Sequence, residues 1–119
     1  MIDITPLVQA AVKETKVKKG ICIIFTPHTT AAITINEKAD PDVARDIISA
    51  LEKAFPQNAD YRHAEGNSPA HIKSSLVGAS ELILIENGRL VLGTWQSIFF
   101  CEFDGPRSRK VFLSIVSSE

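Results

Sequence analysis

An α+β domain is predicted by where this chain places its two kinds of periodicity. Helical stripes led by proline caps fill the first two-thirds, and short apolar runs separated by turn residues fill the last third. Asn87-Gly88, between Glu81–Ile85 and Leu90–Leu92, is a strong hairpin signal that points to a largely antiparallel or mixed sheet packed with two to three helices. With 119 residues, 45% of them hydrophobic, the chain can bury one core, so residues 1–119 are expected to form a single domain.

Thr5-Pro6 reads as an N-cap with proline in the first turn, and Val8, Ala11 and Val12 recur at helical spacing until Lys19-Gly20. Ile21–Phe25 is β-branched and too short for a helix, hence a buried strand leading into Pro27-His28. Ile33 and Ile35 alternate with Thr34 in a half-buried strand that ends at Asn36-Glu37. Asp40-Pro41 repeats the capping signature, and Val43, Ala44, Ile47, Ile48, Leu51, Ala54 and Phe55 form a continuous helical stripe stopped by Pro56. Residues 57–67 lack a period and read as a loop. Ser68-Pro69 opens a shorter helix with Ile72, Leu76 and Val77 inward and Gly78 as its stop. Thr94–Phe103 and Lys110–Val116 are apolar strand-like segments joined by a turn at Asp104-Gly105-Pro106-Arg107. In the first of these, Trp95 reads as core.

Charge and composition exclude several functions. A net charge of -1 with only short, separated basic clusters, Lys16-Lys18-Lys19 and Arg107-Arg109-Lys110, leaves no footprint for nucleic acid. No apolar stretch approaches the roughly 20 residues of a membrane span, and the first residues, with Asp3 and Pro6, lack a signal-peptide layout. A cytoplasmic protein is expected. Cys22 and Cys101 each lie in an apolar run and are expected to be buried, reduced thiols.

Function is sought at the three histidines, all in polar, turn-prone settings: His28 after a strand, His63 in the 57–67 loop and His71 in the first turn of a helix. Imidazole ligates zinc-like ions and serves acid-base chemistry, so the three outline a metal or proton-transfer site, although their spacing matches no compact zinc motif. Residues two apart in an extended loop face one side, which pairs His63 with Glu65. First-turn N–H groups beside His71, with Thr29, Thr30 and Asn67 as neutral donors, suit a phosphate-bearing ligand. Arg107 either pairs with Glu102 or Asp104 or clamps an anion, and Gln96 beside Trp95 offers an amide to a pocket wall.

The blocks His28–Glu37, Tyr61–Asn67, Ala70–Lys73, Gly88–Gln96 and Glu102–Arg107 together resemble the YjbQ family, also called UPF0047, over nearly the whole chain. The resemblance implies a small α+β homotrimer, and some members are described as secondary thiamine-phosphate synthases. On that basis His28, His63 and His71 correspond to the family's histidine motifs, and Glu65, Asn67, Gln96, Glu102, Asp104 and Arg107 to its other polar motif positions. The activity so implied couples a pyrimidine-methyl diphosphate to a thiazole phosphate. Its expected parts are a divalent ion, zinc or magnesium, on the three histidines, Glu65 as base or orienting group, and Arg107 near the departing diphosphate. The competing expectations are a non-enzymatic metal- or anion-binding trimer and a metal-dependent phosphoester hydrolase.

Overall fold

The computed structural model describes residues 1–119. Its elements run β1 (Ile2–Asp3), α1 (Thr5–Thr15), β2 (Gly20–Phe25), β3 (Ala31–Glu37), α2 (Pro41–Ala54), α3 (Ser68–Val77), β4 (Ser80–Glu86), β5 (Arg89–Leu90), β6 (Gln96–Glu102) and β7 (Phe112–Ser117). The strands form two wholly antiparallel sheets, ordered β1-β6-β3 and β5-β4-β2-β7, so the expected α+β class holds and the sheet is not mixed.

Strand alternation builds the core between the sheets. Cys22 and Ile24 of β2 and Ile83 and Ile85 of β4 point inward against Ala31 and Ile33 of β3 and Ile98 and Phe100 of β6. Val8 and Val12 of α1 join the same cluster. Ile24, Ile33, Ile85 and Ile98 are almost completely buried, each contributing roughly 1.5–3 kcal/mol of apolar burial. The three-stranded sheet is covered on its other face too: Ala32, Phe99 and Cys101 pack with Val77 and Phe103, and the Ser74 hydroxyl of α3 donates to the Ala31 carbonyl at 2.6 Å. β6 is therefore apolar from Ile98 to Cys101, where both of its faces are inside. Cys22 and Cys101 are buried and unpaired, as expected. Burial pushes the Cys101 thiol up to about 11.

Several boundaries differ from the sequence expectation for physical reasons. α1 ends at Thr15 rather than near Gly20, because Lys16 turns left-handed (φ 63°) and its N–H closes on the Lys13 carbonyl. Thr5 is not the N-cap. Its N–H donates to Asp3 Oδ1 at 2.9 Å, and its hydroxyl accepts the Ile98 N–H at 2.8 Å, which fastens α1 to β6. At α2 the expected cap is present: Asp40 accepts from the Asp42 N–H at 2.9 Å. Its apolar stripe, however, is only half-buried, since β3 is its main neighbour. Asn87 and Gly88 both have positive φ, 53° and 75°, and form the expected hairpin turn between Glu86 and Arg89. Trp95 is not core. It stands 62% exposed in a turn closed by the Gln96 N–H on the Gly93 carbonyl, so β6 begins at Gln96 instead of Thr94. No helix is long and apolar enough to cross a membrane.

Candidate functional site

The end of β2 is pinned before it reaches the first histidine. Thr26 is buried, donating its N–H to the Ala79 carbonyl at 2.9 Å and its hydroxyl to the Lys110 carbonyl at 3.1 Å. His28 follows, and its Nε2 accepts the Lys110 N–H at 2.9 Å. The loop before α3 brings His63 beside His71, with ring centroids 5.2 Å apart and planes at 89°. That loop is shaped locally: the Tyr61 hydroxyl donates to the Pro56 carbonyl at 2.7 Å, and the Gln57 amide donates to the Gly66 carbonyl. All three histidines line one cleft of about 380 Å³ together with Thr29, Thr30, Glu65, Asn67, Asp104 and Arg107. Apart from the Pro27 ring its lining is polar or charged, which suits a polar ligand.

Under this cleft lies a charged network that the sequence did not reveal. Arg109 is nearly buried and forks onto Glu102, with Nε 2.6 Å from Oε1 and Nη2 on Oε2. The same Nη2 donates to Thr30 Oγ1 at 2.9 Å. Arg109 also reaches the cleft wall, so it is a site residue that sequence reasoning overlooked. No local motif joins positions 102 and 109; only the turn between β6 and β7 does. Gly105 enables that turn, because a Cβ there would sit 2.6 Å from Glu102 Cγ. The fork from Arg109 holds the Glu102 carboxyl below the usual carboxylate range.

Above it, Arg107 pairs with Asp104, donating from Nη2 to Oδ2 and from Nε to the backbone carbonyl, both at 2.8 Å. Arg107 thus makes the pair with Asp104 and also lines the cleft. Asn67 Nδ2 donates to Asp104 Oδ2 at 2.8 Å, and this bond, ahead of Arg107, keeps the Asp104 carboxyl below its ordinary value. Its other end, Asn67 Oδ1, is buried without a partner. Held by Asp104, Asn67 makes no side-chain cap for α3.

Three sequence expectations for the site are changed by this geometry. Gln96 lies outside the cleft: its Oε1 accepts the Gly93 N–H at 2.8 Å, and it opens β6 whereas Glu102 closes it, so the two stand roughly 20 Å apart. Glu102 supports the cleft through Arg109 rather than lining it. The first turn of α3 offers few free donors, since Pro69 has no N–H and the Ala70 and His71 N–H groups bond to the Asn67 carbonyl.

The cleft histidines are poorly disposed for a metal ion. Because Nε2 of His28 accepts an N–H, the proton of the neutral ring is on Nδ1, and neither nitrogen keeps a lone pair for a metal. No group of three or more His, Cys, Asp or Glu side chains in the chain is placed to hold an ion. The expected zinc or magnesium centre on His28, His63 and His71 therefore does not fit this arrangement.

A two-sheet antiparallel domain with a polar, three-histidine cleft at its strand ends defines the class. Residues 1–118 match the model of the UPF0047 protein YjbQ-like family, and the chain belongs to that family. It is 56% identical to UPF0047 protein MJ1081 of Methanocaldococcus jannaschii, over all of this chain and 86% of that one. It is 53% identical to UPF0047 protein YugU of Bacillus subtilis, over 98% of this chain and 89% of the relative. Among solved structures, a YjbQ/UPF0047 protein of Clostridium acetobutylicum superposes with a TM-score of 0.95 at 63% identity, covering 97% of this chain and 89% of that one. A protein from Sulfolobus solfataricus, described as YbjQ-like and of unknown function, superposes at 0.93 with 36% identity, covering 98% and 86%. These comparisons correct the functional expectation. The relatives are UPF0047 proteins with no stated activity, nothing in them indicates thiamine-phosphate synthesis, and that assignment is withdrawn.

Proposed function

We propose that the cleft binds a small anionic molecule, with a phosphate or carboxylate group, and that His63 and His71 transfer protons on it. The observation that carries this reading is the convergence of three histidines and the polar groups of Thr29, Thr30 and Asn67 on one cleft whose lining, Pro27 apart, is polar or charged. Two imidazoles in edge contact can present one donor and one acceptor to the same bound molecule. Both arginines already face carboxylates, Arg107 on Asp104 and Arg109 on Glu102, and Glu65 adds a further negative charge. The imidazoles are therefore the ring donors of the cleft that no carboxylate already engages.

The test is a titration of inorganic phosphate followed by the histidine ring proton signals in NMR spectra. The His63 and His71 signals should move on binding, and a His63→Gln/His71→Gln variant should bind phosphate much more weakly. Signals that stay in place as phosphate is added would exclude the anion site.

The same reading includes a homotrimeric, cytoplasmic protein. Its support is the uncovered outer face of the four-stranded sheet, where register aligns Ile23 with Leu82, Ile21 with Leu84 and Val116, and Phe25 with Phe112. So large an apolar patch favours burial between chains. The two unpaired thiols fit a reducing compartment. In light scattering, the parent should have the mass of three chains and an Ile23→Lys/Leu82→Lys variant the mass of one; a parent that runs as a single chain would end the trimer reading.

A further inference from the structure

A second polar cleft lies at the other end of the four-stranded sheet, built by three segments that tie themselves together. The Gln9 side chain of α1 donates to the Gly88 carbonyl at 3.2 Å and accepts the Leu90 N–H at 3.0 Å, clamping the β4–β5 hairpin to the helix. The Gly88 N–H in turn donates to the Lys18 carbonyl at 3.0 Å, which fixes the loop before β2. These bonds gather Lys13 from the last turn of α1, Lys18 from the loop and Arg89 from the hairpin around a space of about 410 Å³, with Asn87 beside them and no hydrophobic lining.

No carboxylate closes an ion pair there. The ion pairs of the chain use Lys38, Arg45, Arg107 and Arg109, so none of the three cleft cations lies within 4.0 Å of a carboxylate. The nearby acids stop short of ion pairs: the Glu119 carboxylate accepts the backbone N–H groups of Lys19 and Lys18, and these bonds together with the Lys18 charge hold it below its ordinary value, while Glu86 stands opposite Arg89 in the hairpin register and Glu14 follows Lys13 along α1. Three unpaired cations in one concavity, on a chain whose net charge is -1, are a local feature and not the reflection of a basic protein. Gathering them costs mutual repulsion, which a multiply charged anion removes. Arg89 supplies a planar fork for two oxygens, and the lysines supply mobile point charges.

We propose that this cleft is a binding site for a small phosphate-bearing molecule carrying two or more negative charges, a phosphomonoester or diphosphate group. It is separate from the histidine cleft by the length of β2, six residues or roughly 20 Å, and does not depend on the function proposed for that cleft. Unlike the histidine cleft, it holds permanent positive charge, so its affinity persists at about pH 8, where free imidazole is largely neutral.

The probe is inorganic diphosphate, titrated calorimetrically into the full chain at about pH 8 and low salt. Binding should be retained in a His63→Gln/His71→Gln variant and weakened at least tenfold in a Lys18→Gln/Arg89→Gln variant, whose exposed side chains carry little of the fold. Backbone amide signals of Asn87, Gly88 and Arg89 should shift in the parent. Inorganic phosphate, run alongside, should bind more weakly. Equal diphosphate affinity in the parent and the Lys18→Gln/Arg89→Gln variant, or loss of binding in the histidine variant alone, would overturn the assignment.

Discussion

Replacing Arg109 with alanine should lower folding stability by about 3–5 kcal/mol, which would reduce the thermal midpoint by roughly 10 °C or more in a domain of this size. Only a tenth of the Arg109 side chain is exposed, and about a fifth of Glu102. Removing the guanidinium leaves the carboxylate in a mostly dry place with the Asp104 N–H, at 3.0 Å, as its remaining protein donor. Thr30 also loses the donor to its hydroxyl, so the cleft wall should loosen with the pair. A Glu102→Met/Arg109→Met variant isolates the mechanism: if uncompensated charge causes the loss, removing both charges should restore most of the stability.

The same pair predicts the acid limb of the stability curve. Glu102 has a folded-state value held below its ordinary 4.5, chiefly by the hydrogen bonds from Arg109. A depressed value means that the stabilisation is fully present above about 4.5 and is lost as pH falls through the lower, folded value. In Arg109→Ala the sign reverses, since burial, joined by the Asp104 charge, outweighs the remaining Asp104 N–H bond and raises the carboxyl, and stability should then fall as pH rises. Urea midpoints measured from about pH 3 to pH 7 check both statements; parallel curves for the parent and Arg109→Ala would show that the pair carries no linkage.

Gly20→Ala should be as damaging for a steric reason. A Cβ on Gly20 would lie 2.1 Å from the Val116 carbonyl oxygen and 3.0 Å from its carbon, both backbone atoms. β2 is an inner strand, paired with β4 on one side and with β7 on the other, so it cannot simply move away. The edge strand β7 has to give, and its pairing of Ser117 with Gly20 is the first to break. A cost of about 3 kcal/mol or more is expected. Amide exchange should accelerate in β7 while the β2–β4 ladder stays protected. An unchanged denaturant midpoint would show that the strands absorb a methyl group without separating.

The legible parts of the fold were those written in short stretches of chain. Asp40-Pro41 marked the start of α2, Asn87-Gly88 marked the hairpin, and the apolar runs around Cys22 and Cys101 marked buried strands. Gly20 misled for the same local reason: after a lysine run it resembles a helix stop, yet its lack of a side chain serves strand packing against β7. Trp95 misled because an apolar neighbourhood in sequence became an exposed turn.

For the site, the sequence by itself determined which groups are available for chemistry: three histidines, the threonines after His28, and the acids and arginines around the Gly105 turn. Only the tertiary structure decided that His28, His63 and His71 share a cleft, that Gln96 does not, and that Arg109 is held by Glu102 while Arg107 is held by Asp104. Caps, turns and strand alternation are set by neighbours within a few residues, so they leave a readable pattern. The cleft is set by strand register and loop closure, which bring distant polar groups together without imposing any period on the chain between them.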